Sequence, residues 1–139
     1  NGGIRVSDKS ILRFKGKVRE ITRRNRGISF TRIVTEINKI IVGWSTYFRL
    51  ANKWLATIRE LDGWIRRKLR CYRLKQSGRK FTIYKLLRSL GAAKGRAWNA
   101  IMYGGGWWPL SNKLAITQAM GIQWFLAQGL HSLVLRMKV

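Results

Sequence analysis

The chain has 139 residues, 46% of them hydrophobic, with seven Trp, which is enough for one domain or two small subdomains with a real core and excludes an intrinsically disordered segment. Lys and Arg number 29 against five acids, for a net charge of +24 and a pI near 11.8; a compact state with that charge repels itself unless a polyanion screens it. One Cys and one His exclude an intrachain disulfide and any Cys-based zinc site. The polyanion is nucleic acid or an anionic membrane surface, and the abundance of Arg, whose fork matches phosphate oxygens, favours nucleic acid.

One Pro and no alternating apolar run point to an all-α chain. Residues 1–9 read as a flexible lead, with Gly2 and Gly3 near its start. The chain opens Asn-Gly-Gly without an initiator Met or an apolar signal region, so the expectation is a fragment or processed product with no signal peptide. A first helix should begin near Ser10, capped by Ser7 or Asp8, with Ile11, Phe14, Val18 and Ile21 as its stripe. Asn25-Arg26-Gly27 reads as its left-handed end.

Ser29 is the expected cap of a second helix carrying Ile33, Ile37, Ile40, Ile41, Trp44, Tyr47 and Phe48, the least charged and most buried of the first three. Gly43 inside it either permits a close helix approach or is simply tolerated. After a short connection at Ala51-Asn52-Lys53, a third helix runs from about Trp54 to Tyr72 or Lys75. Its residues Ile58, Leu61, Ile65, Leu69 and Tyr72 form one apolar stripe, and Arg66, Arg67, Arg70 and Arg73 fan over the flank and back. Three helices with short links give an antiparallel three-helix bundle over residues 10–75.

Residues 76–80 are a polar, basic loop. A small helical C-terminal subdomain then fills 81–139: helices over Phe81–Leu90 and Lys94–Met102, and an irregular stretch at Gly104-Gly105-Gly106-Trp107-Trp108-Pro109. The tandem Trp either stack on bases or plug a gap between helices. From Leu114 to Leu135 no charged residue occurs, close to a membrane span in length, but Gly121, Gly129 and six polar residues interrupt it. Two short helices are expected there.

Chemistry of its own is hard to build. The acids are Asp8, Glu20, Glu36, Glu60 and Asp62; Glu60 and Asp62 lie two apart and point in different directions on a helix. Cys71 reads as a helix-packing residue, and His131, with no Asp or Cys nearby, as structural. The candidate phosphate-binding residues are Arg13, Lys17, Arg23 and Arg24 of the first helix, Arg66, Arg67, Arg70 and Arg73 of the third, and Lys75, Arg79 and Lys80 after it. Phe14, Trp44, Tyr47, Phe48, Leu61, Trp64, Ile65 and Leu69 are assigned to the core.

Several blocks carry a resemblance. Ser10-Ile-Leu-Arg13-Phe14-Lys15, Arg19, Asn38, Gly43-Trp44-Ser-Thr-Tyr47-Phe48 and, most specifically, Leu61-Asp62-Gly-Trp64-Ile65-Arg66-Arg67-Lys-Leu69-Arg70 resemble the maturase-specific domain of group II intron-encoded proteins, domain X or the thumb of the intron reverse transcriptase. Lys75-Gln76, Arg79, Leu87 and Gly91 continue it. Gly104 to Leu133, with Trp108, Ser111, Gly129-Leu130 and Ser132-Leu133, is similar to the DNA-binding segment that follows the thumb. Leu74 departs from the family, which often has Trp there; altered local packing is expected.

The resemblance, covering about residues 10–133, implies a three-helix thumb that grips template–primer duplex and, in splicing, helps bind intron RNA and stabilise the active ribozyme fold. It implies fingers and palm of a parent reverse transcriptase as partners. The Tyr-Ala-Asp-Asp palm and its Mg²⁺ would lie outside this chain, so no cofactor and no catalytic residue is expected here. The implied location is a bacterial-type cytoplasm or an organelle, with no membrane partner. A free-standing structural RNA-binding protein is the alternative.

Overall fold

Two serines set where the first two helices begin. In the computed structural model, which describes residues 7–23, 27–50, 55–103 and 105–137, the Ser7 hydroxyl accepts the Ser10 N–H at 3.1 Å and opens α1, Asp8–Ile21. The Ser29 hydroxyl accepts the Arg32 N–H at 3.3 Å and opens α2, Phe30–Leu50. Each satisfies one of the N–H groups that a helix start leaves without a carbonyl. Among the described residues all regular structure is helical, so the fold is all-α.

The chain divides into two compact units, one of Asn1–Ile65 with Gln128–Val139 and one of Arg66–Ala127. In the first, α2 packs against α1 and against α9, Leu133–Met137. Phe14 and Phe48 are fully buried with ring centroids 5.4 Å apart, edge to face. Trp44 adds an edge contact to Phe14 at 5.7 Å, and Tyr47 one to Phe48 at 5.5 Å; such pairs add about 0.5–1.5 kcal/mol each beyond area burial. Ile33, Ile37 and Ile41 of α2, and Ile58, Leu61 and Ile65 of α3, Leu55–Ser77, complete this core. Trp44, Tyr47 and Trp64, assigned to the core from sequence, are half-buried and lie at its rim.

Helix α1 ends at Ile21, with Thr22 as its C-cap: the Thr22 N–H and hydroxyl both donate to the Val18 carbonyl, each at 3.0 Å. Of the expected left-handed end at Asn25-Arg26-Gly27, Gly27 has a φ of +62°; Asn25, Arg26, the connection at Ala51-Asn52-Lys53 and Arg24 lie outside the described residues. Gly43 does not mediate a close approach: it is exposed, and a Cβ there would meet nothing within 4 Å.

The second unit holds the end of α3 with α4 (Lys80–Ser89), α5 (Lys94–Tyr103), α6 (Trp107–Leu110), α7 (Leu114–Ala119) and α8 (Ile122–Ala127). Helix α4 packs on α5, and both contact α7. Leu69, Leu74, Ile83, Leu87, Ile116 and Phe125 are buried; Leu74 is accommodated in this core where Trp was noted as common. Cys71 is a buried free thiol. The uncharged stretch that suggested two helices forms three, α7, α8 and α9, broken at Gly121 and at Gly129, whose φ is +87°. No described helix is long and apolar enough to cross a membrane.

Candidate nucleic-acid interface

Helix α3 carries the densest run of cations, and one of its two acids does structural duty. Asp62 is buried. Its Oδ1 accepts the Leu133 N–H at 2.8 Å; its Oδ2 accepts the Val134 N–H at 3.0 Å and the Ser132 hydroxyl at 2.7 Å. Ser132 in turn accepts the Leu135 N–H at 3.2 Å. A carboxylate from α3 therefore sits at the start of α9, where free N–H groups and the helix dipole favour an anion. One segment upstream, Asn38 of α2 donates to the Gly129 carbonyl and accepts the His131 N–H, both at 2.8 Å. Asn38 and Asp62 together hold Gly129–Val134 against α2 and α3. His131 takes part through its backbone while its side chain is exposed.

Around this frame three cations of α1 lie near aromatic faces. Lys15 Nζ is 5.1 Å and the Arg19 guanidinium 5.4 Å from the Trp64 ring centre, and Arg13 is 5.8 Å from Trp44. Such cation–aromatic contacts stabilise by about 0.5–1 kcal/mol at exposed sites and leave the charge able to meet a phosphate. Arg13, Lys17, Arg19 and Arg23 are exposed.

The second unit is more one-sided: Arg66–Ala127 contains thirteen Lys and Arg and no Asp or Glu. The α3 arginines expected to fan over one surface divide by role. Arg67 stacks 3.9 Å from the Trp108 ring centre, donates Nη2 to the Trp108 carbonyl at 2.9 Å and Nε to the Ser111 hydroxyl at 3.3 Å. It fastens α6, and one of the tandem Trp is its counter-surface.

Arg70, expected from sequence among the phosphate-binding residues, turns inward. It is 8% exposed; Nε donates to the Met120 carbonyl at 2.8 Å, and the guanidinium lies 5.5 Å from the Phe125 ring centre. Met120 caps the C-terminus of α7, where a cation is favoured by the helix dipole. Burial, and then the charges of Arg66 and Arg67, push its pKa down to about 10, so it is charged at neutral pH. Burial also lowers that of Arg73, which donates to the Ser77 hydroxyl at 3.0 Å.

Arg66 and Lys75 are half-buried; Arg79 and Lys80 are exposed, as are Lys85, Arg88, Lys94, Arg96 and Lys113. The last five escaped the sequence reading although α4 showed the signal. With Ile83 and Leu87 facing in, Lys85 and Arg88 fall on the outer face at helical spacing.

The family model of the group II intron maturase-specific domain matches residues 11–91, more than half of the chain. The chain belongs to this family. Comparison with curated proteins gave no match. The matched part of the maturase domain contains Asn38 and Asp62, while Gly129–Val134, which they hold, lies beyond it. Among the described residues of the maturase domain no three His, Cys, Asp or Glu converge where a metal ion could be held.

Proposed function

We propose that this maturase-specific domain binds structured intron RNA and template–primer duplex through its exposed and half-buried cations, as the splicing and thumb part of a group II intron-type reverse transcriptase. The observation that carries the reading is the unit of thirteen cations without a single acid, in a chain of the maturase family. In this reading α1, α2 and α3 form the thumb bundle. Arg13, Lys17, Arg23, Arg66, Arg73, Lys75, Arg79 and Lys80 supply charge to phosphates, and Arg67 and Arg70 hold the scaffold. Polymerase chemistry and its Mg²⁺ belong to the palm of a parent protein, and no catalytic step is assigned here. Contacts of this kind position a nucleic acid without reading its sequence; preference for folded RNA comes from shape and 2′-hydroxyls.

The test is a binding titration of the full chain against a structured intron RNA and an RNA–DNA hybrid duplex. If on the order of 6–10 phosphates are contacted, affinity falls by about 10³–10⁵ between roughly 50 and 200 mM salt. Replacing Arg79 and Lys80 by Gln together should reduce the logarithmic salt slope by about 2 with melting unchanged. Binding that is absent at low salt, or flat across the titration, overturns the proposal.

A further inference from the structure

One cluster is left over by this account. On the outer face of α4, Phe81 and Tyr84 lie three residues apart, their rings within 13° of parallel and their centroids 6.1 Å apart. Tyr84 meets Trp98 of α5 edge to face at 5.8 Å. The row is not core: Phe81 is 59% and Trp98 52% exposed, while Ile83 and Leu87 on the same helix face inward, buried. Neighbouring exposed aromatic rings of this kind are a feature of interaction surfaces. Cations border it. Lys85 Nζ stands 4.8 Å from the Phe81 ring centre, and Arg88 lies one turn beyond Tyr84, exposed, with one guanidinium nitrogen donating to the Ala92 carbonyl at 2.8 Å.

We infer that Phe81, Tyr84 and Trp98 form a stacking surface for the unpaired bases of single-stranded RNA, so that the domain takes looped or frayed segments as well as helices. The inference rests on the nucleic-acid reading above and extends it from phosphates to bases. Charge complementarity selects the occupant: the row stands in the unit that has no acid, so it suits a polyanion. Every base presents a flat π-face, and neighbouring cations take the phosphates of the same strand. Phosphate contacts serve duplex and single strand alike; exposed rings add only to partners whose bases are free to leave the stack.

The full chain is titrated with an unpaired oligouridine and a blunt-ended, fully paired RNA duplex without a loop at one salt concentration. Phe81→Leu and Trp98→Leu keep apolar bulk at exposed positions, so the fold is retained; Trp98→Phe keeps a ring. Stacking is worth roughly 5- to 150-fold in affinity per base. Each Leu variant should therefore lose at least about fivefold on oligouridine and nothing on the duplex, with Trp98→Phe recovering most of the loss. Photocrosslinking of 5-iodouridine RNA should mark the peptide holding Phe81 or Trp98. If oligouridine affinity is indifferent to both Leu variants, or both RNAs weaken equally, the stacking surface is wrong while the phosphate reading stands. If the unaltered chain binds neither RNA, both fall.

Discussion

Removing the Asp62 carboxylate tests how the C-terminal segment is held. Asp62→Ala deprives the Leu133 and Val134 N–H groups and the Ser132 hydroxyl of their acceptor. A hydrogen bond to a charged group contributes about 1.5–3 kcal/mol, and three bonds to one carboxylate do not add fully, since the buried charge itself costs desolvation. A net loss of about 2–4 kcal/mol follows. Asp62→Asn keeps one acceptor oxygen and should lose about 1–2 kcal/mol. Urea unfolding gives the midpoint shift at constant slope, and amide hydrogen exchange reports directly on Leu133 and Val134. Glu60→Ala is the control: Glu60 is exposed two residues away and removes the same formal charge, so its effect should stay within about 0.5 kcal/mol. Unchanged protection of both amides in Asp62→Ala, or equal destabilisation by Glu60→Ala, refutes the view that this carboxylate anchors α9.

Gly43→Ala should stabilise the chain by about 0.5–1 kcal/mol, because the helix interior gains a better former and the new methyl meets nothing within 4 Å; a lower melting temperature would mean that the face is occupied. Arg70→Ala should cost about 2–4 kcal/mol through the lost bond to Met120 and the gap beside Phe125. Arg70→Met fills the same space without a buried charge and should cost no more than about 1 kcal/mol. In both variants the salt slope of RNA binding should be kept, and a fall by about one unit would return Arg70 to the phosphate surface.

Local chemistry was legible along much of the chain. Ser7 and Ser29 start their helices because a hydroxyl reaching an N–H three residues on needs only neighbouring sequence. Helical periodicity found Phe14, Phe48, Ile58, Leu61, Ile65 and Leu69, which are buried, and Gly121 and Gly129 mark where a long apolar run breaks. The aromatic row was missed for a different reason. Phe81, Tyr84 and Trp98 are apolar by composition, and only the packing of α4 on α5 shows which of their faces is left in solvent.

The sequence by itself determined the helical class, the caps, the excess of cations over acids and the maturase family. These follow from short-range spacing, bulk charge and a contiguous motif. Tertiary structure alone decided what the residues of that motif do. In Leu61-Asp62-Gly-Trp64 through Arg70, Asp62 reaches residues about seventy positions away, Trp64 meets the cations of α1, and Arg70 turns inward to the end of α7. A position on the flank of an amphipathic helix is exposed or buried according to what packs beside it, and here the decisive partners lie 45 to 72 residues away in sequence. Pattern within one helix holds no record of a partner that distant, so an Arg that turns inward to a helix end and an Arg that faces solvent look the same until the fold is known.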